Sequence, residues 1–497
     1  MYVLGIDVGT GGTRALIVDE RGRLISSATE GHQAFASPQI GWAEQNPEDW
    51  WRAVGVAVRR ALTSANLTGD SIASVGLSGQ MHGAVMLDNS GDVVRPALIW
   101  CDVRTEKQCN EIDAKLGKPQ IIQLTCNPAL PNFTLTKLLW VRENEPENWK
   151  RVRSVMLPKD YVRFRLSGER ATDVADASGT LMLDVARRRW SVEVLDAVEI
   201  GHSLLSALYE SPDVCGRISN EGAAATGLKR GTPVVAGAGD QAAGAVGLGI
   251  VAPGTVSATI GTSGVVFAST DRPALDPKGR MHTFCHAVPG RWHVMGVTQA
   301  AGLSLRWFRD LLGEKSDDRA DSYDRLTAEA ANVPAGSEGA LWAPYLMGER
   351  APHLDPNARG ALLGLSASHK RGHVVRAVLE GVAFSLKDSF TILEEMKVPV
   401  REIRLGGGGA RSVLWRQIQA DIYGRDVGIP RAEEGAAYGA AILAGVGVGV
   451  WASVDAACNA VVEVAHHVRS RPDVVAVMNT RYAQYRKIYP ALKSIFS

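Results

Sequence analysis

The chain lacks the marks of several large classes of protein. No Cys-x-x-Cys pair occurs among the 497 residues, and the six cysteines, Cys101, Cys109, Cys126, Cys215, Cys285 and Cys458, show no zinc-ribbon spacing. They read as reduced cytosolic thiols, and a chain of this length builds its core without disulfide or metal staples. Charge of one sign is also missing: Lys plus Arg is 54 and Asp plus Glu 53, a net charge of +1. That removes a strong electrostatic case for nucleic acid or an anionic membrane as partner. Met1 to Asp7 has no basic leader, so no signal peptide is expected. The one long charge-free stretch, residues 436–454, holds Gly439, Gly445, Gly447 and Gly449 and reads as a buried Ala-rich helix ending in a Gly-rich loop rather than a membrane span. No G-x-x-x-x-G-K-[ST] is present, which excludes a P-loop, and no dinucleotide-type G-x-G-x-x-G opens a helix after a strand.

What the chain has in quantity is glycine, 52 residues of it, with ordinary apolar (45%) and charged (22%) fractions for a globular protein. Length alone suits about three average domains or two large ones. Strand and helix signals alternate, which argues an α/β fold. Val3-Leu4-Gly5-Ile6-Asp7-Val8 is a short apolar run stopped by Gly9-Thr10-Gly11-Gly12. It resumes from Arg14 to Val18, turns at Asp19-Glu20-Arg21-Gly22 and continues at Leu24-Ile25, a three-stranded meander. Asn46, Pro47, Glu48 and Asp49 spell a helix start. Ser71 to Leu77 reads as a strand, and Val85-Met86-Leu87 with Ala97-Leu98-Ile99-Trp100 as a hairpin. Half a chain later the opening pattern recurs: Val256 to Ile260, Gly261-Thr262-Ser263-Gly264, Val265-Val266-Phe267. Two copies are too few for a solenoid and predict two like domains that face each other. Asp7 of the first copy aligns with Thr259 of the second, so one copy alone carries a carboxylate.

Gly-rich turns of this kind present consecutive backbone N–H groups as an anion nest. Gly9 to Thr13 and Gly261 to Gly264 both qualify, with Thr10, Thr13, Thr262 and Ser263 as hydroxyl donors. Asp7, at a strand end, is either a Mg²⁺ anchor or a turn cap. Asp240 follows Gly237-Ala238-Gly239 and is either a helix N-cap or a general base for a substrate hydroxyl. Gly79-Gln80-Met81-His82-Gly83 suits a polyol-contact loop or a turn with a satisfied histidine. Asp102 and Arg104 read as sugar ligands or as an ion pair. His282 and His286 are four apart on strand-like sequence with no Glu beside them, and no metal site is expected there.

Taken together these residues resemble the FGGY carbohydrate kinases over nearly the whole chain. Gly360-x-Leu362-x-Gly364-Leu365, followed after seven residues by His373-Val374-x-x-Ala377-Val378-Leu379-Glu380, is similar to the C-terminal signature of that family. Asn132-Phe133-Thr134-Leu135-Thr136-Lys137-Leu138-Leu139-Trp140 resembles the N-terminal one, departing from it at Asn132. The hairpins at Gly9-Thr10 and Gly261-Thr262 resemble its two phosphate motifs, and Gly406 to Ser412 its adenosine motif. The resemblance implies two duplicated actin-like ATPase (ribonuclease H-like) domains flanking a catalytic cleft, here residues 1–248 and 249–497. It implies ATP and Mg²⁺, no nucleic-acid or membrane partner, a cytoplasmic enzyme, and leaves a homodimer open. By position it assigns Asp240 as the catalytic base and Asp7 to the metal. Gln80, Met81, His82, Asp102, Arg104 and Gln241 fall to the sugar, and Thr10, Gly11, Gly12, Thr13, Arg14, Gly261, Thr262, Gly407, Gly408 and Arg411 to ATP. Ser78 to Gly83 resembles the sugar loop of the branch that phosphorylates D-xylulose, and Leu157 to Tyr161 and Gly348 to His353 also resemble that branch. Ribulose, gluconate or glycerol is the alternative substrate. A nucleotide switch or an inactive sugar sensor fits less well, since both Asp7 and Asp240 are present.

Overall fold

β1 (Tyr2–Val8) and β2 (Gly12–Asp19) are buried along nearly their whole length, because both faces of the sheet they form are covered. β3 (Leu24–Gly31), on the edge, alternates between exposed and half-buried. The computed structural model that reveals this describes residues 1–313, 319–431 and 435–496.

After β3 comes α1 (Pro47–Ser64). The Asn46 side chain accepts the Glu48 N–H at 3.1 Å, Pro47 sits in the first turn, and Glu48 and Asp49 face the positive end of the helix dipole. Trp50, Val54, Ala57, Val58 and Ala61 recur three and four apart and form the stripe that packs on the sheet. β4 (Ile72–Gly79) then returns parallel to β1, and β5 (Pro233–Val235) runs parallel beyond it. The order β3-β2-β1-β4-β5 is extended by an antiparallel strand at Val214–Arg217. α2 (Asp240–Gly247) leaves the end of this sheet.

The second half repeats the plan. β6 (Thr255–Ile260), β7 (Gly264–Thr270) and β8 (Trp292–Thr298) form an antiparallel meander, and α3 (Gly302–Leu311) follows it. α4 (Arg371–Glu395) crosses back to β9 (Glu402–Gly406), parallel to β6, and α5 (Val413–Tyr423) to β10 (Val427–Pro430), parallel to β9. The order β8-β7-β6-β9-β10 reproduces that of the first sheet. The duplication expected from the two Gly-Thr turns is therefore a duplication of whole sheets.

α6 (Gly435–Gly447) belongs to the second half of the chain yet packs on the first sheet and on α2. The fit is backbone on backbone: a Cβ on Gly5 would lie 1.9 Å from the Ala437 carbonyl oxygen, and one on Gly76 2.0 Å from that of Ala440. This close approach explains the Ala- and Gly-rich, charge-free composition of the segment. Among the described residues no helix is long and apolar enough to cross a membrane. One local expectation holds only in part. Isolated antiparallel bridges, Ala84 with Leu98 and Leu87 with Val93, join the two runs, while the ladders proper pair Val85–Leu87 with Ser154–Met156 and Ala97–Leu98 with Glu44–Gln45. Pro96, just ahead of the second run, has no N–H to give to a hairpin ladder.

Candidate active site

The two meanders end at one cleft. A cavity of about 380 Å³ is lined from the first half by Asp7, Asp240, Gln241 and Gly244, and from the second by Thr259, Gly406, Gly407, Gly408 and Arg411. It is continued by one of about 520 Å³ between Gly261, Thr262, Gly302, Tyr323, Gly409 and Trp415, with Gly408 and Arg411 common to both.

Register places the first carboxylate. Asp7 is opposite Arg14 across β1 and β2 and beside Ser78 across β1 and β4. Burial raises its carboxyl above the ordinary value, with Ser78 and the Arg14 charge pulling the other way. Its Oδ1 has no hydrogen-bond partner. Such a buried, orphaned carboxylate oxygen on a cavity wall fits a divalent cation. Asp240 is the first residue of α2, but the cap position is Gly239 and no side-chain cap bond is made. The capping alternative therefore fails for Asp240. Burial pushes its carboxyl up to about 7, the negative Asp7 adds to the effect, and Gln241 opposes it.

The first hairpin is closed by Gly9 N–H donating to Gly12 O at 3.0 Å, and His32 N–H donates to Gly11 O at 3.1 Å. Thr10 accepts from Trp100 Nε1 at 2.8 Å and donates to Gln80 Oε1 at 3.2 Å. Thr13, expected as a phosphate donor, is buried with its hydroxyl on His32 Nε2 at 2.9 Å, because it lies in β2 beyond the turn. The second hairpin is buttressed differently: the N–H groups of Ala301 and Leu303 donate to Thr262 O and that of Gly302 to Gly261 O, at 2.9–3.1 Å. Gly407, at φ 71°, lets the chain pass the end of β6, where a Cβ would come within 2.5 Å of Ile260 O.

The sugar loop divides. Met81 packs against Gly239, where a Cβ would approach its Cγ to 2.7 Å, so the loop lies one residue from Asp240. His82 Nδ1 contacts Gly179 O at 2.7 Å, and burial pushes its pKa down to about 3, so the ring is neutral. Gln80, expected at the sugar, has both amide atoms engaged elsewhere, with Thr10 and with Gln45 Oε1 at 2.9 Å, and ties the 79–83 loop to the first hairpin. Asp102 and Arg104 are likewise not brought to the cleft. Asp102 is fully buried, accepts Ala43 N–H at 2.7 Å and pairs with Arg104, whose guanidinium lies 3.6 Å from the Trp42 ring centroid and 2.8 Å from Glu44. The ion-pair alternative describes them. His282 and His286 are held by Asn127 and by Ile250 O, and among the described residues no cluster of three or more metal-ligating side chains occurs.

Sequence reasoning gave no role to Arg350 or Tyr323. Arg350 donates to His282 Nε2 at 3.2 Å, and its charge adds to the burial that depresses His82. Tyr323 lines the larger cavity from a helix with no Gly-rich motif. Only the tertiary fold brings either to the site.

Two like α/β halves with a carboxylate-floored, nest-walled cleft define a phosphoryl-transfer enzyme of the actin-like ATPase type. The chain matches the models of the FGGY family of carbohydrate kinases, the N-terminal domain over residues 2–247 and the C-terminal domain over residues 256–448, and it belongs to that family. It is 40% identical to the xylulose kinase of Lactococcus lactis subsp. lactis over 100% of this chain and 96% of that one. It is 40% identical to the xylulose kinase of Escherichia coli over 89% of each chain. The crystal structure of xylulose kinase from Rhodospirillum rubrum superposes with a TM-score of 0.91 at 30% identity, covering 100% of both chains.

Proposed function

We propose that the protein transfers the γ-phosphoryl group of ATP to the 5-hydroxyl of D-xylulose. Asp240 carries the reading: a carboxylate at a helix start that makes no cap bond, adjoins the sugar loop and faces the nucleotide cavity. The hydroxyl oxygen attacks the γ-phosphorus, the bond from that phosphorus to the ADP oxygen breaks, and the hydroxyl proton passes to Asp240. The nests at Gly9 to Gly12 and Gly261 to Gly264 hold phosphate oxygens from opposite walls, and Arg411 with the Gly406 to Gly409 turn holds the nucleoside end. Asp7 is the residue that would hold Mg²⁺, which neutralises phosphate charge when bound. Met81 and His82 orient the sugar. We divide the halves at residue 248, between α2 and β6, and place the enzyme in the cytoplasm, in keeping with six unpaired thiols.

A coupled ADP-release assay over D-xylulose, D-ribulose, gluconate and glycerol tests the proposal. D-xylulose should give the highest kcat/KM. A higher value for another of the four would overturn the sugar assignment and leave the kinase assignment standing.

A further inference from the structure

The N-terminal signature, Asn132 to Trp140, touches neither cavity, yet two of its side chains converge on one atom. Lys137 is fully buried, and its Nζ donates to the carbonyl oxygens of His82 at 2.8 Å and Asn132 at 2.7 Å. Thr134 Oγ1 donates to the same His82 oxygen at 3.2 Å. His82 has φ 65°, in the left-handed region that a side chain other than glycine's rarely adopts. Backbone of that kind persists only where the surroundings over-determine it. Two donors on one carbonyl, with the Phe133 ring edge-on to the imidazole at 4.9 Å, supply the constraint.

The constraint fixes the chemistry of the ring. A carbonyl oxygen only accepts, so the 2.7 Å contact to Gly179 O puts the proton on Nδ1. Nε2 is then a lone pair, and among the described residues it has no hydrogen-bond partner.

We propose that Thr134 and Lys137 are positioning residues that hold His82 left-handed, so that its Nδ1–H is committed to Gly179 and its Nε2 is presented to the substrate solely as an acceptor for a sugar hydroxyl. The inference rests on reading His82 as a sugar ligand and deepens it into a selection rule. A hydroxyl satisfies the lone pair. The carboxylate of an aldonate brings a second acceptor and is repelled. Burial, which keeps the imidazole neutral, supports the same conclusion.

The full-length protein, labelled with ¹⁵N in its histidine rings and assigned at His82 with His82→Gln, reads the tautomer directly. The expected signal is Nδ1–H, displaced in Thr134→Val and Lys137→Met and retained in Thr134→Ser. The two disruptive variants should raise the D-xylulose KM by roughly five- to tenfold, the worth of one hydrogen bond, with the ATP KM unchanged. If Lys137→Met does not fold, the Thr134 pair decides. An Nε2–H signal in the unmodified protein overturns the proposal. So does an unchanged D-xylulose KM in Thr134→Val when His82→Ala raises it. An unchanged KM in His82→Ala itself overturns the underlying reading of the sugar site.

Discussion

The two hairpins at the cleft descend from the same plan and have come to different chemistry. At the end of β1, Asp7 is flanked by Arg14 on one neighbouring strand and Ser78 on the other. At the same place on β6, Thr259 is flanked by Val265 and Gly406. The first half thus sets a carboxylate, a cation and a hydroxyl where the second sets a small hydroxyl, an apolar side chain and bare backbone. The buttressing differs in parallel. The first hairpin is tied by side chains, through Gln80 and Trp100 to Thr10, and so is joined to the 79–83 loop. The second is tied by backbone to the start of α3, beside the cavity of about 520 Å³. Under the proposed function, the different residues at three registered positions make one of the two like hairpins the reactive wall and the other the cradle.

The largest predicted effect removes the carboxylate at the start of α2. Asp240→Asn should lower kcat by on the order of 10²–10⁴ without lowering the melting temperature, since the side chain caps nothing and its burial raises its carboxyl to about 7. Turnover and thermal unfolding of one preparation check both halves of the statement. Next, Asp7→Thr makes the first hairpin resemble the second. It should reduce kcat/KM for ATP by roughly 10², the scale of losing one preorganised charge at a transferring group, and shift the Mg²⁺ titration. Thr259→Val, the matching change in the other half, should stay within a few-fold. Equal losses in the two variants would erase the asymmetry.

Much of this contrast was legible in the sequence. Two Gly-Thr turns flanked by β-like runs gave the duplication, and the Asp7 to Thr259 alignment gave the asymmetry, because strand ends and tight turns are written in local residue chemistry. Asp102, Arg104 and Gln80 were misplaced for the opposite reason. Polar residues near a site look alike in sequence whether they face ligand or each other, and only the structure shows Trp42 and Trp140 enclosing Arg104, or Gln45 receiving Gln80. Arg350 and Tyr323 were given no role because no local pattern brings residues so distant in sequence to one cleft. The placement of α6 on the first sheet was hidden likewise, although the composition that permits it was in plain view.

A smaller effect probes the backbone buttress of the second hairpin. A Cβ on Gly302 would lie 2.4 Å from Gly261 O, part of the rigid hairpin. Gly302→Ala must therefore push the hairpin away from α3. The ATP KM should rise about tenfold, and stability should fall by roughly 1–3 kcal/mol. Gly31→Ala, with nothing within 4 Å of the added carbon and outside both nests, is the control in the first half. Similar ATP KM values for the two variants would show that the buttress does not set the nucleotide site.

The smallest expected effect on turnover, none, comes with a difference of sign in stability. Each half buries a carboxylate away from the cleft. In the first, Asp160 lies against Lys159 and receives Arg163 Nη2 at 2.6 Å, and these cations hold its carboxyl below the ordinary value. In the second, the hydrogen-bond donor to Asp388 is the Tyr482 hydroxyl at 2.6 Å, and burial pushes its carboxyl up to about 7. A lowered folded pKa gives stability that is present above the unfolded value and lost as pH falls through the folded one. A raised folded pKa does the reverse: the native carboxyl keeps a proton that the unfolded chain releases, and stability is lost as pH climbs from 3.8 to about 7. Asp388→Asn keeps the shape and the acceptor for Tyr482 and removes that titration. Relative to the unmodified protein it should gain melting temperature between pH 4 and 8, with the rise from 3.8 to about 7 capping the gain at about 4 kcal/mol. Asp160→Asn should be less stable across that whole range, with the deficit shrinking only as pH falls below 3.8, because it discards an ionised partner of two buried cations. Thermal unfolding of the three proteins at matched ionic strength decides it, and parallel pH profiles for the two variants would mean that the halves handle buried charge alike.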